Sequence, residues 1–222
     1  MDASRPTLAL IGGTGDLGTG LATRWVAAGY PVIIGSREVA RAEQAAQRLA
    51  PPAGAPAPRG LANAAAAAAA EVVVITVPFA SHGAILAEIR DAVAGKLVID
   101  ATVPLVPPKV ARVQLPPDDS AAVAAQKALG QAARVVSAFH NVAALKLQKG
   151  EAIDCDVLVF GDKPEDREVA IRLAQDAGLR ALHAGPLANS TAAEALTSVL
   201  IGINRNYKVD GAGIRITGIV SG

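Results

Sequence analysis

Residues 7–37 constrain the fold more than any other stretch. A short apolar run, Leu8 to Ile11, leads into Gly13-x-Gly15-x-x-Gly18. A helical pattern follows (Leu21, Ala22, Trp25, Val26), stops at Gly29, and gives way to a second apolar run, Val32 to Ile34. Strand, glycine turn, helix and strand within about thirty residues is the context a dinucleotide-binding glycine pattern requires. In such a unit Gly13 turns the chain off the strand, Gly15 lets backbone amides approach a pyrophosphate, and Gly18 lets the helix lie close to the sheet. The helix N-terminus adds free N–H groups and partial positive charge.

The end of the second strand selects the cofactor. An NAD site carries a carboxylate here for the ribose hydroxyls. This chain has Gly35-Ser36-Arg37, with Arg41 four residues on. A hydroxyl and two guanidiniums suit a 2′-phosphate, through charge-assisted hydrogen bonds, where a carboxylate would repel it. At i and i+4, Arg37 and Arg41 are expected on one face of the next helix. The cofactor expected is NADP(H).

The remaining pattern alternates strand and helix. A helix over 38–50 ends at Pro51-Pro52, and 51–58 is a Pro/Ala linker. A short strand at 59–61 precedes an alanine helix over 64–70, capped by Asn63. Glu71–Val77 reads as a central strand, Ser81 as the cap of a helix reaching Val93, and Lys96–Ile99 as the next strand. Residues 105–118 carry four prolines and read as an irregular excursion. A helix over 119–132 and a strand over 134–137 follow, then strand 157–160, helix 164–176, strand 179–182 and helix 190–203. The fold class expected is α/β: a Rossmann-type doubly wound parallel sheet with a small C-terminal α/β lobe. Ligands in such sheets collect beyond the carboxyl ends of the strands. There Thr76-Val77-Pro78, Thr102-Val103-Pro104 and His140-Asn141-Val142 should converge.

With 51% hydrophobic residues and 18% charged ones, 222 residues amply supply a core. A net charge of +1 offers nothing to nucleic acid or an acidic membrane surface. The Ala64–Ala70 run is too short to span a bilayer and residues 1–6 are polar, so the expected compartment is the cytoplasm. The single cysteine, Cys155, lies between Asp154 and Asp156 and reads as an inert structural thiol.

Acid–base machinery is scarce. His82, His140 and His183 are too scattered for a metal motif, and no metal ligand set is assigned. His82 reads as a solvent-facing residue at a helix start and His183 as passive. His140 leaves a strand at the expected ligand edge. Tyr207 and Lys208 are adjacent, not spaced as YxxxK, and no GxSxG elbow occurs. No residue is assigned a catalytic role. A hydride transfer between two redox cofactors needs none, because catalysis reduces to holding two rings in contact.

Several stretches together resemble the NADPH-dependent reductases of coenzyme F420, an 8-hydroxy-5-deazaflavin: Gly12–Gly20, Ile34–Arg37, Val136–Ala143, Gly185–Ser190, Leu200–Lys208 and Ala212–Ile219. The resemblance covers nearly the whole chain. It implies reversible hydride transfer between C4 of the nicotinamide and C5 of the deazaflavin. It further implies that Thr14, Gly15, Asp16 and Leu17 hold the pyrophosphate, and Ser36, Arg37 and Arg41 the 2′-phosphate. Val77, Val103 and Ala144 would contact the nicotinamide half; Pro104, His140, Leu187 and Ala212 would border the deazaflavin. An NADP-binding domain over 1–142, a small lobe over 143–222 closing the deazaflavin site, and a homodimer are implied too. Two other readings stand beside this one. The first is an NADP-dependent reductase of a small imine or carbonyl, for which 145–222 is short and too α/β. The second is a non-catalytic NADP-sensing module.

Overall fold

The computed structural model describes residues 5–219. The expected spans 1–142 and 143–222 begin and end in residues 1–4 and 220–222, outside the described residues. The order is β1 (Leu8–Ile11), α1 (Asp16–Ala27), β2 (Val32–Ser36), α2 (Val39–Gln47), β3 (Arg59–Ala62), α3 (Asn63–Ala69), β4 (Val72–Ile75), α4 (Phe79–Ile89), β5 (Leu97–Asp100), α5 (Ala121–Leu129) and β6 (Arg134–Ser137). These six strands form one parallel sheet in the order β3-β2-β1-β4-β5-β6. It is the doubly wound sheet expected, reversing direction of growth between β1 and β4.

Helices cover both faces, so every residue of β1, β4 and β5 is buried. Side chains still alternate along each strand. Leu8 and Leu10 pack with Trp25 of α1, whereas Ala9 and Ile11 join Ile85 and Leu86 of α4 on the opposite side. A buried strand of this kind has no polar face and reads as a continuous apolar run.

Beyond β6 come α6 (Ala144–Gln148), β7 (Asp156–Val159), α7 (Pro164–Asp176), β8 (Arg180–His183) and α8 (Ser190–Tyr207). β7 and β8 pair as a small parallel sheet. Phe160, just past β7, bridges antiparallel to Ser137 at the end of β6, exchanging N–H···O bonds of 2.8 and 3.0 Å. The Trp25 indole donates to the Leu173 carbonyl at 2.7 Å, and the Tyr30 hydroxyl to Asp176 Oδ2 at 2.6 Å. Hydrophobic packing therefore runs unbroken from α1 to α7, and the residues after 142 share a core with those before it.

Several boundaries differ from expectation. α4 begins at Phe79 with Pro78 in the capping position, so Ser81 is inside the helix. Asn63 is the first residue of α3 and does not cap it; its amide donates to Glu88 Oε2 at 3.2 Å. α8 extends through the polar residues 204–207 and stops where Lys208 turns left-handed, φ 52° and ψ 45°. Residues 101–120 contain no helix or strand, as the prolines implied. Cys155 is buried; burial, then Asp156 and Asp154, push its thiol up to about 11, and an inert thiol is what results.

Candidate functional site

The carboxyl ends of β1, β2, β4 and β5 open on a cleft of about 660 Å³, the size of a small-molecule site. Its floor is the glycine turn. The left-handed residue there is Gly12, φ +80°, and not Gly13; a Cβ on Gly12 would lie 2.6 Å from Val77 Cγ1. A Cβ on Gly18 would lie 2.6 Å from Gly13 Cα and 2.7 Å from Thr76 Oγ1. That absence seats α1 directly on the turn. Gly15 precedes the first helical residue and no side chain caps the helix, so first-turn amides remain available to a ligand. Thr14, Gly15, Asp16 and Leu17 all line the cleft there.

Ser36, Arg37 and Arg41 line the same cleft at the end of β2, together with Glu38. Ser36 Oγ accepts the Glu38 N–H at 3.2 Å, and Arg41 Nε donates to Glu38 Oε2 at 2.9 Å. α2 starts only at Val39, so the two arginines do not share a helix face. Arg37 reaches the cleft from the strand end and Arg41 from the first helical turn. Both are exposed, and an exposed pair such as Glu38–Arg41 is weakly held and readily exchanged. Beside them the buried Asn63 Oδ1 has no hydrogen-bond partner, a free acceptor on the wall of the cleft.

The other end is different in kind. Thr76, Val77, Pro78, Phe79, Ile85, Ala101, Val103, Leu105, Pro107 and Val110 form an apolar wall. No lining residue from Thr76 to Val110 ionises. The Thr76 hydroxyl is turned inward, donating to the Ile11 carbonyl at 3.1 Å.

Five residues expected at the site do not line this cleft. Ala144 opens α6 behind α1, its carbonyl 3.1 Å from where a Gly20 Cβ would be. Pro104 is buried next to Val103. His140 is 7% exposed and its Nε2 meets Ser137 Oγ at 2.9 Å. Ala212 donates its N–H to Asn204 Oδ1 at 2.8 Å, on the tail beside α6. Leu187 is 4% exposed and belongs to the same core cluster as Ala122, Val98 and Val135, on the α5 side.

Behind the apolar wall lies a polar network that the sequence reading missed. Asp100, fully buried at the end of β5, meets His82 Nε2 through Oδ2 at 2.7 Å and accepts the Thr102 N–H through Oδ1 at 2.9 Å. His82 is not solvent-facing but 3% exposed. Burial opposes its charge, yet the hydrogen bond and charge of Asp100 prevail and raise its pKa. His140, by contrast, is driven down to about 4 by burial and stays neutral. Glu194 of α8 accepts the N–H groups of Ala121 and Ala122 at 2.6 and 3.1 Å, capping α5 from another element. Burial lifts it to about 7 despite those bonds. One signal was available: His82, Ile85, Leu86 and Ile89 are spaced i, i+3, i+4, i+7, which puts His82 on the buried stripe of α4.

Comparison with known proteins agrees with this geometry. Residues 7–104 match the family model described as NADP oxidoreductase coenzyme F420-dependent. The F420-dependent NADP reductase of Methanothermobacter thermautotrophicus is 42% identical, covering 96% of this chain and 95% of that protein. The chain belongs to the F420-dependent NADP reductase family. A second member, from Methanocaldococcus jannaschii, is 39% identical over 96% of this chain and 98% of its own. A solved structure from Arthrobacter sp. fb24, provisionally named an F420-dependent NADP reductase, superposes with a TM-score of 0.77 at 26% identity, covering 96% of this chain and 99% of that one. In family terms, the glycine turn and the Ser-Arg corner come from the segment matched by the model, and α8 with Glu194 from outside it.

The Glu194 environment gives a stability that depends on pH. Its folded value of about 7 stands above the ordinary 4.5, so between the two the folded chain binds more protons than the unfolded one. The contribution is therefore complete below about pH 4.5 and lost as pH rises through about 7. Glu194→Gln cannot titrate. In urea titrations the wild type should lose stability relative to the variant between pH 5 and 8, by at most about 3 kcal/mol. His140 slopes the other way but is common to both proteins and drops out of the difference. Parallel pH curves would refute the assignment.

Proposed function

We propose that the protein is an oxidoreductase that moves a hydride reversibly between NADP(H) and the deazaflavin coenzyme F420, working as a cytoplasmic homodimer. The observation that carries this is the two-ended cleft: phosphate-seeking groups at one end, an apolar wall without a titratable side chain at the other. Family membership supports the same pair of carriers.

The amides around Thr14, Gly15, Asp16 and Leu17 would hold the pyrophosphate, and Ser36, Arg37 and Arg41 the 2′-phosphate, with Arg41 exchanging Glu38 for the ligand. Val77 and Val103 would pack against the nicotinamide. Ala144 would also contact the nicotinamide half, and Pro104, His140, Leu187 and Ala212 would border the deazaflavin, all five lying outside the present cleft lining. NADPH supplies a hydride at C4 of its nicotinamide and the oxidised deazaflavin takes it at C5, with the reverse equally open. The chain's own part is to press the two rings together and keep water from the transfer. The proton that balances the exchange passes to or from solvent, no wall residue holding one.

The dimer is supported by an apolar groove of about 690 Å³ on the β7–β8 sheet, lined by Leu158, Phe160, Leu182, Ile216 and Ile219. Ile216 and Ile219 are 38% and 49% exposed in the single chain, an arrangement that a second copy would relieve. Sedimentation should give twice the chain mass of 22.4 kDa, and Ile216→Lys the single mass; a monomeric wild type would refute the dimer. Recovery of the protein in a membrane pellet would count against the compartment.

Mixing the protein with NADPH and oxidised F420 should bleach the visible band of the deazaflavin. No bleaching at any pH would overturn the proposal. Arg37→Ala should weaken NADPH roughly ten- to a hundredfold, the cost of one charged hydrogen-bonded contact, and leave NADH nearly unchanged. Equal losses for both would refute the 2′-phosphate role.

A further inference from the structure

The buried Asp100–His82 pair has no part of its own in the proposed reaction, and neither member lines the cleft. Both oxygens of Asp100 are nevertheless committed in directions that lead to it. Oδ1 holds the Thr102 amide at 2.9 Å, and the next residue, Val103, is a wall of the cleft. Oδ2 holds His82 Nε2 at 2.7 Å. The imidazole of His82 stacks on Phe79, centroids 6.3 Å apart and planes 27° from parallel, and Phe79 lines the cleft from the other side. One carboxylate thus links the β5 loop to the first turn of α4.

We propose that Asp100 and His82 are positioning residues: the pair fixes the two apolar walls at the nicotinamide end at a single separation, so that the ring is held in one pose. This rests on reading the cleft as the NADP site. The physical grounds lie in what each wall lacks. Phe79, Val103 and their neighbours offer only dispersion contacts, which are non-directional and tolerate sliding. Ala101 still donates its N–H to the Ile75 carbonyl at 3.0 Å, but residues 102–104 make no backbone hydrogen bond to a neighbouring strand that would set their place. A buried charge pair is a poor source of stability, because desolvation offsets most of the attraction, but its short hydrogen bonds are directional. Glu194 and His140 are the other titratable groups near the pair. The charge of Glu194 favours protonated His82, whereas at His140 burial outweighs the pull of Asp100 and keeps that ring neutral.

The test separates the two ends of the cleft with ligands that need no deazaflavin. Adenosine 2′,5′-bisphosphate reaches only the Ser36–Arg37–Arg41 corner, whereas NADP⁺ reaches both ends. By titration calorimetry, His82→Leu should weaken NADP⁺ about tenfold and leave adenosine 2′,5′-bisphosphate within about twofold, with turnover falling about tenfold or more. Asp100→Asn keeps an acceptor for the Thr102 amide and can donate to neutral His82, so it should retain NADP⁺ binding to within about threefold of wild type. The proposal is overturned if His82→Leu binds NADP⁺ as the wild type does, or if both ligands weaken together. Should His82→Leu not fold, hydrogen exchange on the wild type decides: the Thr102 amide must be protected, and free exchange there sinks the brace. Failure of the wild type to bleach F420 while these binding results hold would remove the proposed reaction and leave the brace standing.

Discussion

Helix α1 can sit on the edge of the sheet only because two backbones touch where side chains would normally keep them apart. The Gly18 position leaves no room for a Cβ against Gly13 and Thr76, and Gly12 occupies a left-handed turn with Val77 pressed against it. From that contact the layout of the cleft follows. β1 lies between β2 and β4, with Ile11 in register with Gly35 on one side and Ile75 on the other. A ligand centred on the α1 amides must therefore send one half over the end of β2 and the other over β4 and β5. The first direction meets Ser36, Arg37 and Arg41; the second meets Val77, Phe79 and Val103. The asymmetry of a dinucleotide is thereby written into strand order, with no further device needed to orient it.

The two halves also differ in how they treat water. At the phosphate corner the side chains are exposed, and charge there costs little because solvent still screens it. At the ring end the polar groups have been withdrawn one layer, into Asp100, His82, Ser137 and His140, while the surface presented to a ligand is apolar. Hydride transfer profits from that division, since a titrating side chain at the ring face would offer a competing proton donor. The withdrawn groups are not idle, for each satisfied hydrogen bond among them fixes a segment of the wall in front.

How much of this the sequence disclosed depends on whether a residue's surroundings repeat along the chain. β1, β4 and β5 were legible as apolar runs because both faces are covered, and the Ser-Arg corner because its position is set by the glycine turn that precedes it. His82 was misread although its spacing to Ile85, Leu86 and Ile89 is helical. A cap at Ser81 makes His82 an N-terminal residue that should face solvent, whereas α4 begins at Phe79 and places it within the buried stripe. Asp100 carries no such signal, because a strand buried on both faces gives its last residue no preferred side. Leu187 lies in no periodic stretch, and only the packing of α5 against the chain after β8 reveals that its side chain is buried. Glu194 shares its stripe with Ser190, Ala193 and Ser198, and the helix it caps is α5, distant in sequence.

That last contact changes the part played by the residues after 142. The irregular stretch from Ala101 to Ser120 supplies Leu105, Pro107 and Val110 to the cleft, and a chain with so little internal hydrogen bonding takes its position from its ends. One end is tied by Asp100 to the Thr102 amide. The other is tied where Glu194 accepts from Ala121 and Ala122 and where Ser190 Oγ donates to Ser120 Oγ at 2.9 Å. A carboxylate at a helix N-terminus is favoured by the helix dipole, and here burial works against it, so the bond is strong only while the fold excludes water around it. Helix α8 therefore does more than cover the sheet edge. It sets one anchor of the strap that closes the ring end, and any displacement of α8 must move the cleft wall with it.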